Sequence, residues 1–529
     1  MKSFKLFLLY FVVSLFLFTG QAVLAGNKSN VNFKELPSVG KVAFEISCDP
    51  EAQEPFNKGV AMLHHMMYVQ SRELFKQMIN KDPDCAMFHW GVAMTYLHPL
   101  WAPPSQSDLE NGMAAFSRAQ ELGAKTQREA DYIDAIGVYF SDWQKFSHPE
   151  RLARWEEAQQ KVHLSNTDDI DAAGFYALSH LATAPKADKT FAHQKNAGQL
   201  LEGLHHKAPK HPAGYHYTIH AYDNPLLAER AVNVSRGYGS IAPDVPHALH
   251  MPTHIFVRLG LWDDVIEWNA RSAGAALSQP VNGMTSLHYA HAIDYLVYGY
   301  LQKGQEHRAR QILEKLNATN NFQDSFASAY AIAAAQARIA LERSDWEKAA
   351  ALPVRTHQTF PWDKYPWFEA ITYFSRGIGA TRSGDIEAAN TNLSKLNELY
   401  ERTREAGQDY WAILVDSQRK SVESWIMFSK GQSAQALELM TAAADLEDSV
   451  DKHPVTPGAV LPARELLGDM LIELGQYEES IAAYESALEI SANRLRSMTG
   501  IKTAEQLSSD RKAAKVSSEI SDVAAATKN

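Results

Sequence analysis

Cysteine is nearly missing from this chain: Cys48 and Cys85 are the two in 529 residues. That scarcity excludes a disulfide-scaffold toxin and any zinc array built on CxxC pairs. Basic charge is short as well. Lys and Arg number 51 against 62 Asp and Glu, a formal charge of −11, which argues against a nucleic-acid binder held by phosphate contacts. Apart from Leu6–Phe18 no long apolar run occurs, so no transmembrane segment is expected in the mature chain. There is no GxxxxGK[ST] phosphate loop, GxSxG elbow, HExxH helix or dinucleotide fingerprint. Aromatics at 10% and hydrophobic residues at 45% exclude a mostly disordered chain. The abundant residue is histidine, 21 in all and most of them before residue 300.

The N-terminus reads as a signal peptide. Lys2 and Lys5 precede the 13-residue run Leu6–Phe18, and Val23-Leu24-Ala25 offers small residues for cleavage after Ala25. As a helix that run spans about 20 Å, short of a ~30 Å bilayer core. The mature chain is therefore expected in a periplasm or outside the cell. In such an oxidising compartment a lone cysteine pair more often bridges than not, so a Cys48–Cys85 disulfide is expected, with two buried thiols as the alternative. Residues 26–51 read as a lead-in to the folded body. Residues 501–529, rich in Ala, Ser, Lys and Asp, read as a polar tail, either disordered or a frayed helix.

Between 52 and 500 the chain repeats itself. The clearest unit is ARELLGDMLIELGQYEESIAAYESALEISA, Ala463 to Ala492. With Leu461 as position 1, Gly468 falls at 8, Leu471 at 11, Gly475 at 15, Tyr477 at 17, Tyr484 at 24 and Ala487 at 27. The unit resembles a tetratricopeptide repeat, a 34-residue helix A–turn–helix B module. A small residue at 8 lets the two helices approach, and an aromatic at 24 fills the next interface. The register recurs: Gly59, Met62, Phe75, Met78 and Pro83 fall at 8, 11, 24, 27 and 32 of a first unit. Gly91, Ala337, Gly377 and Ser424 take position 8 in later ones. No alternating β-type segment interrupts them. The fold class expected is all-α, a right-handed TPR-like α-solenoid in which each helix pair buries its apolar face against its neighbours. The resemblance implies that positions 2, 5, 9, 12 and 13 of helix A face a concave groove where ligands bind.

In that register the histidines fall together. A unit starting at Pro212 sets His216 at 5 and His220 at 9. The next, starting at Pro246, sets His247 at 2, His250 at 5 and His254 at 9. A third has His291 at 2, with His288 just before its helix, and His180 is assigned to position 9 of an upstream helix A. Histidines at i and i+4 share a helix face, and neighbouring helices lie about 8–10 Å apart. His216, His220, His250 and His254 are therefore expected to converge on one point that suits Zn²⁺ or Cu²⁺. Asp223, at 12, would orient or supplement them. Arg258, at 13, adds a cation, and Tyr217 a hydroxyl. Pro252, at position 7 between His250 and His254, removes a backbone donor and is expected to kink the helix. His64 and His98 are candidate rim residues. The plainer reading gives the same histidines to a groove for a polar ligand, or to an interior hydrogen-bond network.

Three stretches, LHHMMYVQSRELFKQMINKDPDCAMFHWGVAMTYLHPLW, HALHMPTHIFVRLGLWDD and KHPVTPGAVLPARELLGDMLIELGQYEESIAAYESAL, resemble a family of exported bacterial tetratricopeptide-repeat proteins. The resemblance implies the solenoid and no reaction. Three functions stay open at this point: a binding or scaffold protein whose groove holds a metal, a metal-free scaffold for proteins or peptides, and a metal-dependent enzyme using the same histidines.

Overall fold

The computed structural model describes residues 38–101, 103–185 and 188–526, without the side chains of 517–526. The expected signal peptide and the first part of the lead-in lie outside the described residues. The remainder of the lead-in is an extended strand-like segment that docks on the body. Lys41 N–H donates to Lys210 O at 2.8 Å, Ser47 N–H to Glu129 Oε1 at 2.7 Å, and Phe44 is buried among Phe56, Trp90 and Tyr132. Cys48 and Cys85 are bridged, with Cα atoms 5.6 Å apart, which ties this segment to the third helix.

The chain then runs through α1 (Gln53–His64), α2 (Tyr68–Lys81), α3 (Ala86–Met94), α4 (Gln106–Leu122), α5 (Gln127–Phe140), α6 (His148–Ser165), α7 (Ile170–Ala182) and α8 (Ala192–Lys207). Next come α9 (Pro212–Tyr222), α10 (Val232–Tyr238), α11 (Pro246–His250), α12 (Pro252–Arg258), α13 (Trp262–Leu277), α14 (Leu287–Gln302), α15 (Glu306–Ala318) and α16 (Phe326–Glu342). The last third holds α17 (Trp346–Ala350), α18 (Pro366–Arg382), α19 (Ile386–Glu405), α20 (Asp409–Ser429), α21 (Ser433–Asp448), α22 (Ala463–Glu473), α23 (Tyr477–Ile490) and α24 (Leu495–Ala526). Among the described residues, β-structure is limited to the isolated bridges Val281–Met284 and Thr285–Phe322. The architecture is all-α, and successive helices pack on one another and on the helix two places on.

The sequence dictates the pairs through three devices. Ser105, Thr126 and Ser147 start α4, α5 and α6 with capping boxes, each bonded to the acid three residues on. Left-handed turns join the helices of a pair: Gly260, Gly304, Ser344, Gly384, Gly431 and Gly475 all have φ between 54° and 89°. Aromatic rings fill the place left by missing side chains. A Cβ on Gly59 or Gly91 would meet the Phe75 ring at 2.6 or 2.7 Å, and one on Gly468 or Gly500 the Tyr484 ring at 2.7 or 2.4 Å. Ser71 and Ser480, both at position 20, donate to the carbonyls of Gly59 and Gly468 at 2.9 Å.

Two features depart from the expectation. The left-handed turns from Gly260 to Gly475 are 44, 40, 40, 47 and 44 residues apart, because α19 and α20, 20 and 21 residues long, outgrow a 34-residue unit in one interval and long links such as those between α17 and α18 and between α21 and α22 lengthen others. The stack also closes on itself. Trp262 Nε1 donates to Asn493 O at 3.0 Å, and buried Arg494 joins Glu465, Tyr298 and Glu342. The link between α21 and α22 forms a strap across α14 and α16: Tyr295 donates to Pro454 O, Tyr330 to Thr456, and Arg338 to the carbonyls of Gly458 and Ala459. Residues 501–526, read from sequence as disordered or a frayed helix, continue α24, where Ala504 is buried and Ser508 donates to Glu478 at 3.0 Å.

Candidate metal centre

Three consecutive stretches supply the histidines. α9 carries His216 and His220, α11 and α12 carry His247, His250 and His254, and α14 carries His288 and His291. Pro252 divides α11 from α12. It has no N–H for the Ala248 carbonyl, and the next turn tightens, with His254 N–H donating to Met251 O at 3.1 Å. The side chains of these histidines are buried except for His220, which is partly so.

The rings gather in two groups, His216–His220–His247 and His250–His254–His291. Within each group one nitrogen from every ring lies within 4.8 Å of the other two. The single four-histidine point expected from sequence is thus two three-histidine points. The reason is local. The Nε2 atoms of His216 and His220 already meet at 3.2 Å, and those of His250 and His254 at 3.0 Å, so each i,i+4 pair aims at its own spot. The groups are adjacent, with ring centroids 6.1 Å apart for His220 and His254 and 6.3 Å for His247 and His250.

The outer nitrogens decide where the protons sit. Asn269 Nδ2 donates to Val265 O at 2.8 Å, which turns its Oδ1 toward His250 Nδ1, also at 2.8 Å. An amide oxygen only accepts, so His250 carries its proton on Nδ1. His254 Nδ1 donates to Asp223 Oδ2 at 2.9 Å, and His216 Nδ1 to the His64 carbonyl at 2.6 Å. In their neutral forms all three rings then present a bare Nε2 lone pair inward. The 3.0 Å contact between His250 and His254 sets two lone pairs face to face, which is no hydrogen bond. Neither ring nitrogen of His247 has a partner, and Nδ1 of His288 and of His291 are also buried without one. Each such orphan costs about 1–3 kcal/mol. A cation between the rings would satisfy the inward nitrogens, so the donor set fits a metal ion.

Electrostatics keep the rings neutral. Burial, reinforced by neighbouring imidazoles, holds His216, His247, His250 and His291 well below the ordinary histidine range. Burial and nearby His254 push His220 down to about 3, and burial takes His288 to about 4. Burial would raise the Asp223 carboxyl, but Lys452, Arg258 and the His254 hydrogen bond outweigh it and hold it well below the usual carboxylate range. Arg258 Nε donates to Asp223 Oδ1 at 2.8 Å, and its other nitrogens reach Asp451. Lys452 Nζ reaches Asp223 Oδ2 at 3.4 Å. Burial draws this ammonium down to about 8.

Two expected groove residues lie elsewhere. His180 on α7 bonds Glu156 of α6 at 2.5 Å and stacks on His193 of α8, with centroids 4.2 Å apart. The insertion after α7 shifts the register that had aligned it with the others. Tyr217 is fully buried and donates to His64 Nδ1 at 3.0 Å. It follows His216 directly, and successive helical residues point about 100° apart. His64 in turn donates to Asp171, which also holds His211, so His64 belongs to a satisfied network and not to the groove. His98 sits against Tyr68 and bonds the Thr95 carbonyl.

Comparison with known proteins fixes the character of the last full unit. Residues 461–494 match the family model of the tetratricopeptide repeat. That unit is a tetratricopeptide repeat. Its helices are α22 and α23, with Gly468 of one against Tyr484 of the other. No curated protein matches the chain. Similar solved structures include yeast Tom70, at 9% identity and a TM-score of 0.30 over 87% of this chain and 89% of that one. The TPR domain of P58(IPK) aligns at 10% identity and 0.21, over 87% and 99%. Naa15/Naa10 bound to HypK-THB aligns at 12% and 0.25, over 81% and 62%. No helix among the described residues is long and apolar enough to cross a membrane.

The repeat numbering exposes a signal missed in the sequence. Asn269 stands at position 24 of the unit that begins at Pro246, where other units carry Phe75 or Tyr484. An amide in an aromatic's place marks a unit adapted to hold His250. Lys452 and Asp451 arrive from about 190 to 230 residues away along the chain, and nothing local announces them.

Proposed function

We propose that this chain is an exported helical-repeat binding protein whose buried histidine layer holds transition-metal ions, Zn or Cu, in two three-nitrogen sites. One observation carries the reading: His250 and His254 have both outer nitrogens committed as donors, and their bare Nε2 atoms stand 3.0 Å apart. A protein without a metal would have to bury that repulsion together with the orphaned nitrogens of His247. His64 O, Asn269 and Asp223 act as the outer partners that fix each tautomer and ring plane, as metal-bound histidines require. The signal-type N-terminus and the Cys48–Cys85 bridge support export. Metal content of the purified mature chain tests the proposal. Stoichiometric Zn or Cu, lost in His250→Ala and His216→Ala, is expected; a metal-free chain that takes up neither ion and melts identically with and without chelator refutes it.

The second reading, a groove for a protein or peptide partner, is favoured by the repeat at 461–494. A pull-down that survives His216→Ala/His250→Ala unchanged would support that role independently of the metal.

A further inference from the structure

The two histidine groups share features that bear on which ion they take. Every ligand is a neutral imidazole. Among the described residues no carboxylate or thiolate belongs to either group. Each point offers three nitrogens, while a structural Zn²⁺ site fills four positions, often with thiolates, and a three-histidine Zn²⁺ site completes its shell with a water.

The surrounding charges do not offset a metal's charge. Asp223 is the acid bonded to a ligand ring, and both its oxygens are already engaged by Arg258 and Lys452 as well as His254. Asp451 is engaged by Arg258 through two bonds, at 3.2 and 3.3 Å. The four side chains Asp223, Asp451, Arg258 and Lys452 therefore cancel when Lys452 is protonated. Any charge brought by the metals stays uncompensated in a layer where His216, His247, His250, His254 and His291 are at most 7% exposed.

The cost of burying an ion rises with the square of its charge in the Born picture. Two divalent ions would place four positive charges in this layer, side by side, and each would carry four times the burial penalty of a monovalent ion. A monovalent d¹⁰ copper ion is content with three neutral nitrogens and needs no anionic partner. We infer that the six histidines form one dinuclear centre that selects Cu⁺ over Zn²⁺, one copper to each three-histidine group. The inference rests on the metal reading above and narrows it to one ion and one stoichiometry.

The test is a competition on the purified mature chain under ascorbate, which maintains Cu⁺. Copper is titrated against bicinchoninate, zinc against 4-(2-pyridylazo)resorcinol, and the two are then mixed with zinc in molar excess. The expected result is two Cu⁺ per chain that excess Zn²⁺ fails to displace. His254→Asn, which removes one group's pairing, should drop the stoichiometry from two to one. Thermal melts report whether that variant is folded; if it is not, His291→Asn serves the same group. A Cys48→Ser/Cys85→Ser variant should retain both coppers, because the cysteines lie outside the groups. Zn²⁺ that binds and displaces copper, or a single copper per chain, overturns this inference and leaves the metal reading standing. Uptake of neither ion overturns both.

Discussion

Arg338 and Asp294 form an ion pair cut off from solvent beneath the strap. Both side chains are 0% exposed. Arg338 Nε donates to Asp294 Oδ1 at 2.8 Å and NH2 to Oδ2 at 3.2 Å. The same guanidinium also bonds the carbonyls of Ala459 and Gly458, at 3.1 and 3.0 Å, and the hydroxyls of Tyr330 and Thr456. Arg338→Met removes the cation and keeps the bulk. It leaves Asp294 without its countercharge, a change that costs about 3–5 kcal/mol in a buried pair. It also leaves the Ala459 carbonyl without a donor, at about 1 kcal/mol where water can replace it and more where it cannot, while Gly458 O keeps the Thr456 hydroxyl. Burial already biases the Asp294 carboxyl upward, so protonation caps the electrostatic share. The total expected is about 4–6 kcal/mol. In the double variant Asp294→Leu/Arg338→Met the unpaired charge disappears and the Ala459 carbonyl alone remains uncovered, since Thr456 still donates to Gly458 O, so about 1 kcal/mol should persist. Urea unfolding followed by far-UV dichroism and tryptophan fluorescence measures all three proteins. Limited trypsin digestion adds a local reading, because a loosened strap presents Lys452. A single variant that loses less than about 1 kcal/mol, or a double variant no more stable than the single, would refute the assignment of this pair as the strap's anchor.

Three other outcomes follow from the packing. His65 is fully buried, donating to Val39 O and accepting from Tyr238; burial lowers it from 6.5 to about 3, so its contribution is complete above pH 6.5 and drains away as pH falls toward 3, with about 2 kcal/mol lost by pH 5, and His65→Gln should flatten the stability profile across that window. Reducing the Cys48–Cys85 bridge, which closes a separation of 37 residues, should cost about 4 kcal/mol, and an unchanged melting temperature in reductant would contradict it. Gly468→Ala drives a methyl against the Tyr484 ring at 2.7 Å and should destabilise by about 1–3 kcal/mol, whereas Gly384→Ala, with open space around it but φ of 89°, should lose stability through backbone strain alone; equal melts for wild type and Gly468→Ala would remove the ring-and-glycine account of the pair interface.

Much of the helical stack was legible because its rules are local. Gly59, Gly91 and Gly468 announce close helix approach, Phe75 and Tyr484 the ring that fills it, and Gly260, Gly304 and Gly475 the turn. The histidine face was legible for the same reason: His216 with His220, and His250 with His254, need nothing beyond helical periodicity. The error lay in joining the pairs. Convergence on one point assumed a fixed separation between helices, but each pair's own Nε2 contact sets its aim before the neighbour is met. His180 failed through an insertion that broke the count. The strap, Lys452 and the closing contact at Asn493 were beyond reach, since residues so distant in sequence meet through the accumulated geometry of many helices, which no local pattern encodes.

That closing contact changes what kind of object the stack is. A repeat array whose units touch their neighbours alone is modular: units can be gained or lost, and it can unravel from either end. Here the Trp262 indole is bonded to a carbonyl 231 residues further on. A bond of that reach raises the contact order and delays completion of the middle layers until residue 493 has been synthesised. It also fixes the number of helices between 262 and 493, because adding or deleting one pair would carry Asn493 and Arg494 past their partners. The length of this segment is thus a structural constant of the protein, and it carries His288 and His291 to the histidines of α9, α11 and α12 that precede it.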